Sequence, residues 1–218
     1  MSRQVFTVLN DLITKGIIQS YALGGAVGFM VWTQPFLTND TDFFVQIHTD
    51  GLLVSLAPVY QYAKLNGFHT THEYIVIDGE KVQIIPSPSK LIDEAIATAQ
   101  PQEIEGEIVS VMLPEYLICT ALAAGRLKDF AKIEKMLAEA TVDPELLKKL
   151  IHKFNLTGTW KRYCTSVGTV APEFAHLAAT KLAWRREEAS MLMQDKLIEL
   201  KKLRTKSLMY QGIRYKRV

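Results

Sequence analysis

Asp40 and Asp42 stand two residues apart in Asn39-Asp40-Thr41-Asp42-Phe43, at the start of an apolar run that reads as a strand. Side chains alternate faces along a strand, so both carboxylates share one face while Thr41 and Phe43 turn to the other. Like charges held that close repel unless a cation lies between them, and hard oxygen ligands suit Mg²⁺. Upstream, Gly24 and Gly25 end one short apolar run and open another of helical character. Without Cβ atoms, such a turn lets backbone N–H groups approach an anion at a helix N-terminus, where the dipole also favours negative charge. Taken alone, the glycine pair also reads as a tight strand-to-helix turn with no ligand. Joined to the Asp-x-Asp pair, it supplies the two parts that phosphoryl or nucleotidyl transfer needs, a phosphate cradle and a metal site. Dinucleotide binding is a further reading, because Gly24, Gly25 and Gly28 follow a strand and Asp42 lies eighteen residues after Gly24. That reading leaves Asp40 without a role.

The elements that must position these residues follow from periodicity. Val5, Val8, Leu9, Leu12 and Ile13 recur at helical spacing over 3–15, with Gly16 as the stop. A short strand is expected at 21–23, a helix at 26–33 ending before Pro35, and a strand at 41–47. A helix over 51–65 closes at Asn66-Gly67. The runs 74–77 and 82–85 flank Asp78-Gly79, a hairpin signal. Ser89 caps a helix running to about residue 98, and 108–112 is a last strand. After Pro114 the pattern is helical throughout: 115–124, then 126–140 beyond Gly125, then 144–155, and a stretch free of Gly and Pro over 173–207. The expected organisation is therefore a mixed α+β domain over 1–113 followed by an all-helical domain over 114–218.

Composition narrows the class. With 218 residues, 48% hydrophobic and 22% charged, the chain is neither disordered nor fibrous, and no apolar run approaches membrane-spanning length. The N-terminal segment is amphipathic, contains Asp11 and lacks a small-residue cleavage pattern, so no membrane association and a cytoplasmic location are expected. Cys119 and Cys164 are too few and too far apart for a disulfide framework or a thiolate zinc site. His69 and His72 lie on a loop-to-strand segment where their spacing does not converge them on a metal. The net charge is +2, but Lys201, Lys202, Arg204, Lys206, Arg214, Lys216 and Arg217 crowd into 201–218 with no acid among them. That tail is either a surface for RNA or another acidic macromolecule, or a solvated helix end whose lysines suit the C-terminal dipole.

Gly24-Gly25, fourteen intervening residues and then Asp40-Thr41-Asp42, with Thr38 two positions ahead, resemble the signature of the DNA polymerase beta-like nucleotidyltransferase superfamily. Thr41 departs from the usual hydrophobic middle position. The segment 115–137, EYLICTALAAGRLKDFAKIEKML, is similar to the helical part of the nucleotidyltransferase toxins of abortive-infection toxin–antitoxin systems. The likeness covers about residues 18–140. It implies a nucleotidyltransferase-like mixed sheet with flanking helices. It also implies catalytic, metal-binding Asp40 and Asp42 holding up to two Mg²⁺ ions. Gly24, Gly25, Thr38, Arg126 and Lys128 would then line a nucleotide site. The implied activity moves a nucleoside monophosphate from an NTP to an acceptor such as an RNA end or a protein, under the control of an antitoxin protein. Where many members carry a third carboxylate on a later strand, this chain offers Gln83, whose neutral amide ligates weakly and cannot serve as a carboxylate base. Either Asp78 or Glu80 replaces it, or two carboxylates suffice, or the domain binds nucleotide without turnover.

Overall fold

Val5, Phe6, Val8, Leu9 and Leu12 are all buried on one side of α1 (Arg3–Thr14), the helix that their spacing predicts, and the Ser2 hydroxyl oxygen caps it by accepting the Gln4 N–H at 3.2 Å. The computed structural model describes residues 2–47 and 55–167. Within them follow β1 (Ser20–Leu23), α2 (Gly25–Trp32), β2 (Thr41–Gln46), α3 (Ala57–Leu65), β3 (His69–Thr71), β4 (Tyr74–Ile77), β5 (Glu80–Pro86) and α4 (Lys90–Ala97). Next come β6 (Gln100–Ile104), β7 (Glu107–Val111), α5 (Pro114–Ala124), α6 (Leu127–Glu139), α7 (Pro144–Lys153) and α8 (Thr157–Ser166).

The strands form one mixed sheet in the order β3-β4-β5-β2-β1-β7-β6. β2 runs antiparallel to β1 and parallel to β5, so it lies near the middle with partners on both sides. This is the α+β fold with flanking helices that the sequence leads one to expect, and after Pro114 every element among the described residues is helical. β3 and β6 were not legible in the sequence. β3 is three exposed residues, and β6 carries Pro101 in a polar segment. Both are edge strands, where one side of the backbone meets no partner strand and proline is tolerated. The expected helix over 173–207 and the basic segment 201–218 lie outside the described residues.

The phase of β2 decides where its carboxylate goes. Thr41, Phe43 and Val45 are buried, and Phe43 meets the rings of Tyr21 and Phe6 edge-on with centroids 5.5 and 6.3 Å apart. Edge-to-face aromatic pairs contribute roughly 0.5–1.5 kcal/mol each beyond the area they bury, so a one-residue slip of β2 would be strongly disfavoured. The opposite phase of the strand, Asp42 and Phe44, is left for the far face. There α5 packs against α2, α4, α6, α7 and α8. Trp32 ties α2 to the end of β7 by donating its indole N–H to the Met112 carbonyl at 2.9 Å.

Candidate active site

Gly24 is the N-cap of α2, and its N–H donates to the Asp42 carbonyl at 3.0 Å, joining the glycine turn to β2. Gly25, the first residue of α2, has φ +54°. A Cβ added there would stand 1.9 Å from Asp42 Oδ2, so the carboxylate occupies the space a side chain would need. At Gly24 a Cβ would come within 2.6 Å of the Phe44 ring. Both glycines are thus required by what packs on them, and Gly25 by its backbone as well. The helix start, with its positive dipole end, and the Asp42 carboxylate are in direct apposition.

Asp40 immediately precedes β2. The Thr38 hydroxyl donates to Asp40 Oδ1 at 3.2 Å, with the Asp40 carbonyl at 3.3 Å from the same oxygen. The Tyr74 hydroxyl donates to Asp40 Oδ2 at 3.4 Å, at the long end of hydrogen bonding. Tyr74 pairs with Gln83 across β4 and β5, and Gln83 pairs with Asp42 across β5 and β2. Paired residues share a face, so Asp42, Gln83 and Tyr74 form a row across three strands. Asp78 and Glu80 are drawn elsewhere: Asp78 accepts from the Ser2 hydroxyl and Glu80 from the Ser2 N–H, each at 2.6 Å.

Charges set the chemistry of this row. Burial pushes the Asp42 carboxyl above the ordinary aspartate range, and Asp40 pushes it further; Lys132 and Arg126 pull it partly back. Tyr74 is raised as well, by burial first and then by Glu73 and Asp40. The two cations come from α6. Gly125, at φ +64°, ends α5 in the left-handed region, and Arg126 then serves as the N-cap of α6. Asp129, in the first turn, is buried and takes Arg126 Nε on Oδ2 at 2.6 Å and Lys132 Nζ on Oδ1 at 3.2 Å. Burial alone would raise the Asp129 carboxyl, but these two bonds outweigh it and hold it below the usual carboxylate range. Lys128 is exposed on the same turn.

The structure therefore brings Gly24, Gly25, Thr38, Asp40, Asp42 and Arg126 to one place, with Gln83 beside them, and leaves Lys128 outside the charges that act on Asp42. Tyr74 and Lys132 were missed from the sequence. The signal for Lys132 was present in the spacing Arg126, Asp129, Lys132, three residues apart along one helix face. Tyr74 could be placed only once the hairpin register was known.

The donor set suits a magnesium ion. Asp42 and Gln83 share a face of the sheet, with Asp40 just ahead of β2, and Mg²⁺ is commonly held by one or two carboxylates while water and substrate phosphates complete its shell. Among the described residues, no group of three or more His, Cys, Asp or Glu side chains gathers to hold a metal ion. An open cleft of about 780 Å³ adjoins Asp40, walled by Val27, Met30 and Val31 of α2 on one side and by Glu80, Lys81 and Glu103 on others. No helix among the described residues is long and apolar enough to cross a membrane.

No protein-family model matches the sequence, and no curated protein matches it. Among solved structures, the chain is similar to an antigenic nucleotidyltransferase-like protein from Paracoccidioides brasiliensis, at 17% identity over 72% of this chain and 92% of that one, with a TM-score of 0.47. It is also similar to ANT(2'')-Ia in complex with adenylyl-2''-tobramycin, at 14% identity over 69% of this chain and 95% of that one, with a TM-score of 0.44. At such low identity and TM-score neither likeness carries a functional assignment.

Proposed function

We propose that the protein is a Mg²⁺-dependent nucleotidyltransferase that moves a nucleoside monophosphate from an NTP to an acceptor hydroxyl. The observation that carries this reading is the apposition of Asp42 Oδ2 to the Gly25 backbone at the first turn of α2, with Asp40 alongside. Such contact puts an anion-binding helix start and a pair of metal-binding carboxylates within one ligand's reach. Asp40 and Asp42 would hold the metal, with Gln83 as a weaker oxygen donor. Bound there, Mg²⁺ supplies neutralisation of phosphate charge and orientation of the reacting oxygens.

The chain's own residues do the rest. Gly24 and Gly25 let the triphosphate approach the α2 backbone, Thr38 and Tyr74 orient Asp40, and Arg126 adds positive charge beside Asp42, with Lys128 exposed on the same turn. In the transfer, the acceptor oxygen bonds to the α-phosphorus, the bond to the β-phosphate oxygen breaks and pyrophosphate leaves. The acceptor's proton passes to water, because Gln83 is a neutral amide and cannot take it. The cleft beside Asp40, which Asp42 does not line, would give the acceptor an approach to one of the two carboxylates. An RNA end or a protein hydroxyl are the acceptors to be tried, with an antitoxin-like protein as a candidate regulator.

Incubation with labelled NTPs, Mg²⁺ and candidate acceptors tests the reading. The Asp40→Asn/Asp42→Asn variant is expected to lose at least about 1000-fold in transfer. Undiminished transfer by that folded variant would sink the assignment. A second reading is favoured by Gln83 standing opposite Asp42 where a third carboxylate would complete the site: a nucleotide-binding protein without turnover. It predicts saturable NTP binding in titration calorimetry with no product from any acceptor.

A further inference from the structure

The row of side chains that crosses the sheet from Asp42 ends in a hydroxyl. Asp42 pairs with Gln83 and Gln83 with Tyr74, and the half-buried Tyr74 side chain brings its Oη to 3.4 Å from Asp40 Oδ2. Lys81, two residues from Gln83 on β5 and so on the same face, stands with its Nζ 5.9 Å from the centroid of the Tyr74 ring.

The placement of this hydroxyl suits a reactant. The glycine turn and the start of α2 meet β2 from the β1 side, where the Gly24 N–H bonds the Asp42 carbonyl. Tyr74 comes from β4, beyond β5 on the other side of β2. A triphosphate cradled at α2 and a hydroxyl arriving from β4 thus approach the aspartate pair from opposite sides, as in-line displacement requires of leaving and attacking oxygens. Gln83, a neutral amide, cannot take the acceptor's proton. Tyr74 does not depend on it, because its hydrogen is already directed at a carboxylate. The Thr38 hydroxyl also bonds Asp40, but it belongs to the loop between α2 and β2 and is engaged within that loop, 3.3 Å from the Asp40 carbonyl oxygen as well.

We propose that the protein transfers a nucleoside monophosphate from an NTP to its own Tyr74 hydroxyl. The inference rests on the nucleotidyltransferase reading above and names one acceptor for that site. Tyr74 Oη bonds to the α-phosphorus, the bond from that phosphorus to the β-phosphate oxygen breaks, and pyrophosphate leaves. The hydroxyl proton passes to Asp40 Oδ2 and on to water. Each chain reacts once, because the nucleoside phosphate then stays beside Asp40.

The test is incubation of the full chain with Mg²⁺ and ATP labelled at the α- or the γ-phosphate, with no other acceptor added, followed by intact-mass measurement and peptide mapping. The expected product carries a single α-labelled adenylate per chain, on the peptide that holds Tyr74, and no γ label. Its rate per chain should not change on about tenfold dilution of the protein, since both reacting groups are held by one molecule. Tyr74→Phe should lose the mark, with ATP binding and Tm measured to show that the site is still formed. Tyr60→Phe, a matched change at the tyrosine that bonds the Glu73 carbonyl, should be marked like wild type. Label on Thr38 or any other residue, labelling that slows in proportion to dilution, or α-label transfer to an added RNA with Tyr74 unmarked would overturn the inference and leave the nucleotidyltransferase reading standing. An α label that enters neither the chain nor any added acceptor would overturn that reading with it.

Discussion

A carboxylate oxygen resting where Gly25 would carry a side chain makes the chemistry of Asp42 and the shape of the α2 turn one feature. Gly25→Ala must both strain a backbone at φ +54° and expel the Asp42 carboxylate from its place. The expected result is a loss of about 1 kcal/mol or more in stability, and of about 100-fold or more in kcat, because misplacement by an ångström is enough for such a fall. Thermal unfolding and steady-state kinetics check the two halves separately. Contact between the two residues has its own signature in a double-mutant cycle. Gly25→Ala should cost measurably less stability when Asp42 is already Gly, whereas strictly additive costs would show that the carboxylate and the turn do not touch. Asp40 is held differently, by the Thr38 and Tyr74 hydroxyls. Tyr74→Phe removes one donor while keeping the ring, and should lower kcat/KM by about 5- to 10-fold without changing Tm by more than a degree or two.

At the scale of elements, the site depends on how α5 stops. Gly125 ends it in the left-handed region, and the next helix begins at once with Arg126 as its N-cap. Among the described residues no side chain crowds the Gly125 position, the nearest atom to an added Cβ being the Leu122 carbonyl oxygen at 3.8 Å, so the cost of Gly125→Ala is conformational rather than steric. That substitution should lower stability by about 1 kcal/mol and raise KM for NTP more than it lowers kcat, because it displaces the Arg126–Asp129–Lys132 cluster and leaves the aspartates untouched. A kcat defect with unchanged KM would place the role of the α5–α6 junction elsewhere. Acid titration reports on the same cluster. Asp129 has a depressed folded-state pKa, so its contribution to stability is present above the unfolded value of 3.8 and is lost as pH falls through the lower folded value. Asp129→Asn is therefore expected to be less stable at neutral pH and to lose less stability than wild type on acidification below about pH 4.

In the whole molecule, Glu115 shows the opposite sign. It is buried at the start of α5 and accepts the Asp143 N–H that precedes α7, and burial raises its carboxyl above the ordinary value of 4.5. Its contribution is present below 4.5 and lost as pH rises through the folded-state value. Glu115→Gln keeps an acceptor oxygen and removes the buried charge, so it should match or exceed wild-type Tm at pH 7, with the difference closing toward pH 4; Glu115→Ala should cost about 1–3 kcal/mol by stranding the Asp143 N–H. Much of this architecture was legible in advance. The alternation at 41–45, the Asp78-Gly79 hairpin and the Pro114 and Gly125 boundaries all express local rules of backbone and periodicity. β3 and β6 were not legible, because edge strands are chosen by the partner they lean on and not by their own polar, proline-containing sequence. Among the proposed site residues, Gly24, Gly25, Asp40 and Asp42 are close in sequence and form a motif that local rules make visible. Tyr74 and Lys132 reach the site through strand register and helix docking, which are tertiary facts. Transfer from NTP labelled at the α-phosphate or at the γ-phosphate tests the central claim most directly. A nucleotidyltransferase puts the α label, and not the γ label, into the acceptor, and the Asp40→Asn/Asp42→Asn variant abolishes it. Transfer of the γ label, or α-label transfer that survives in the folded double variant, would contradict the account.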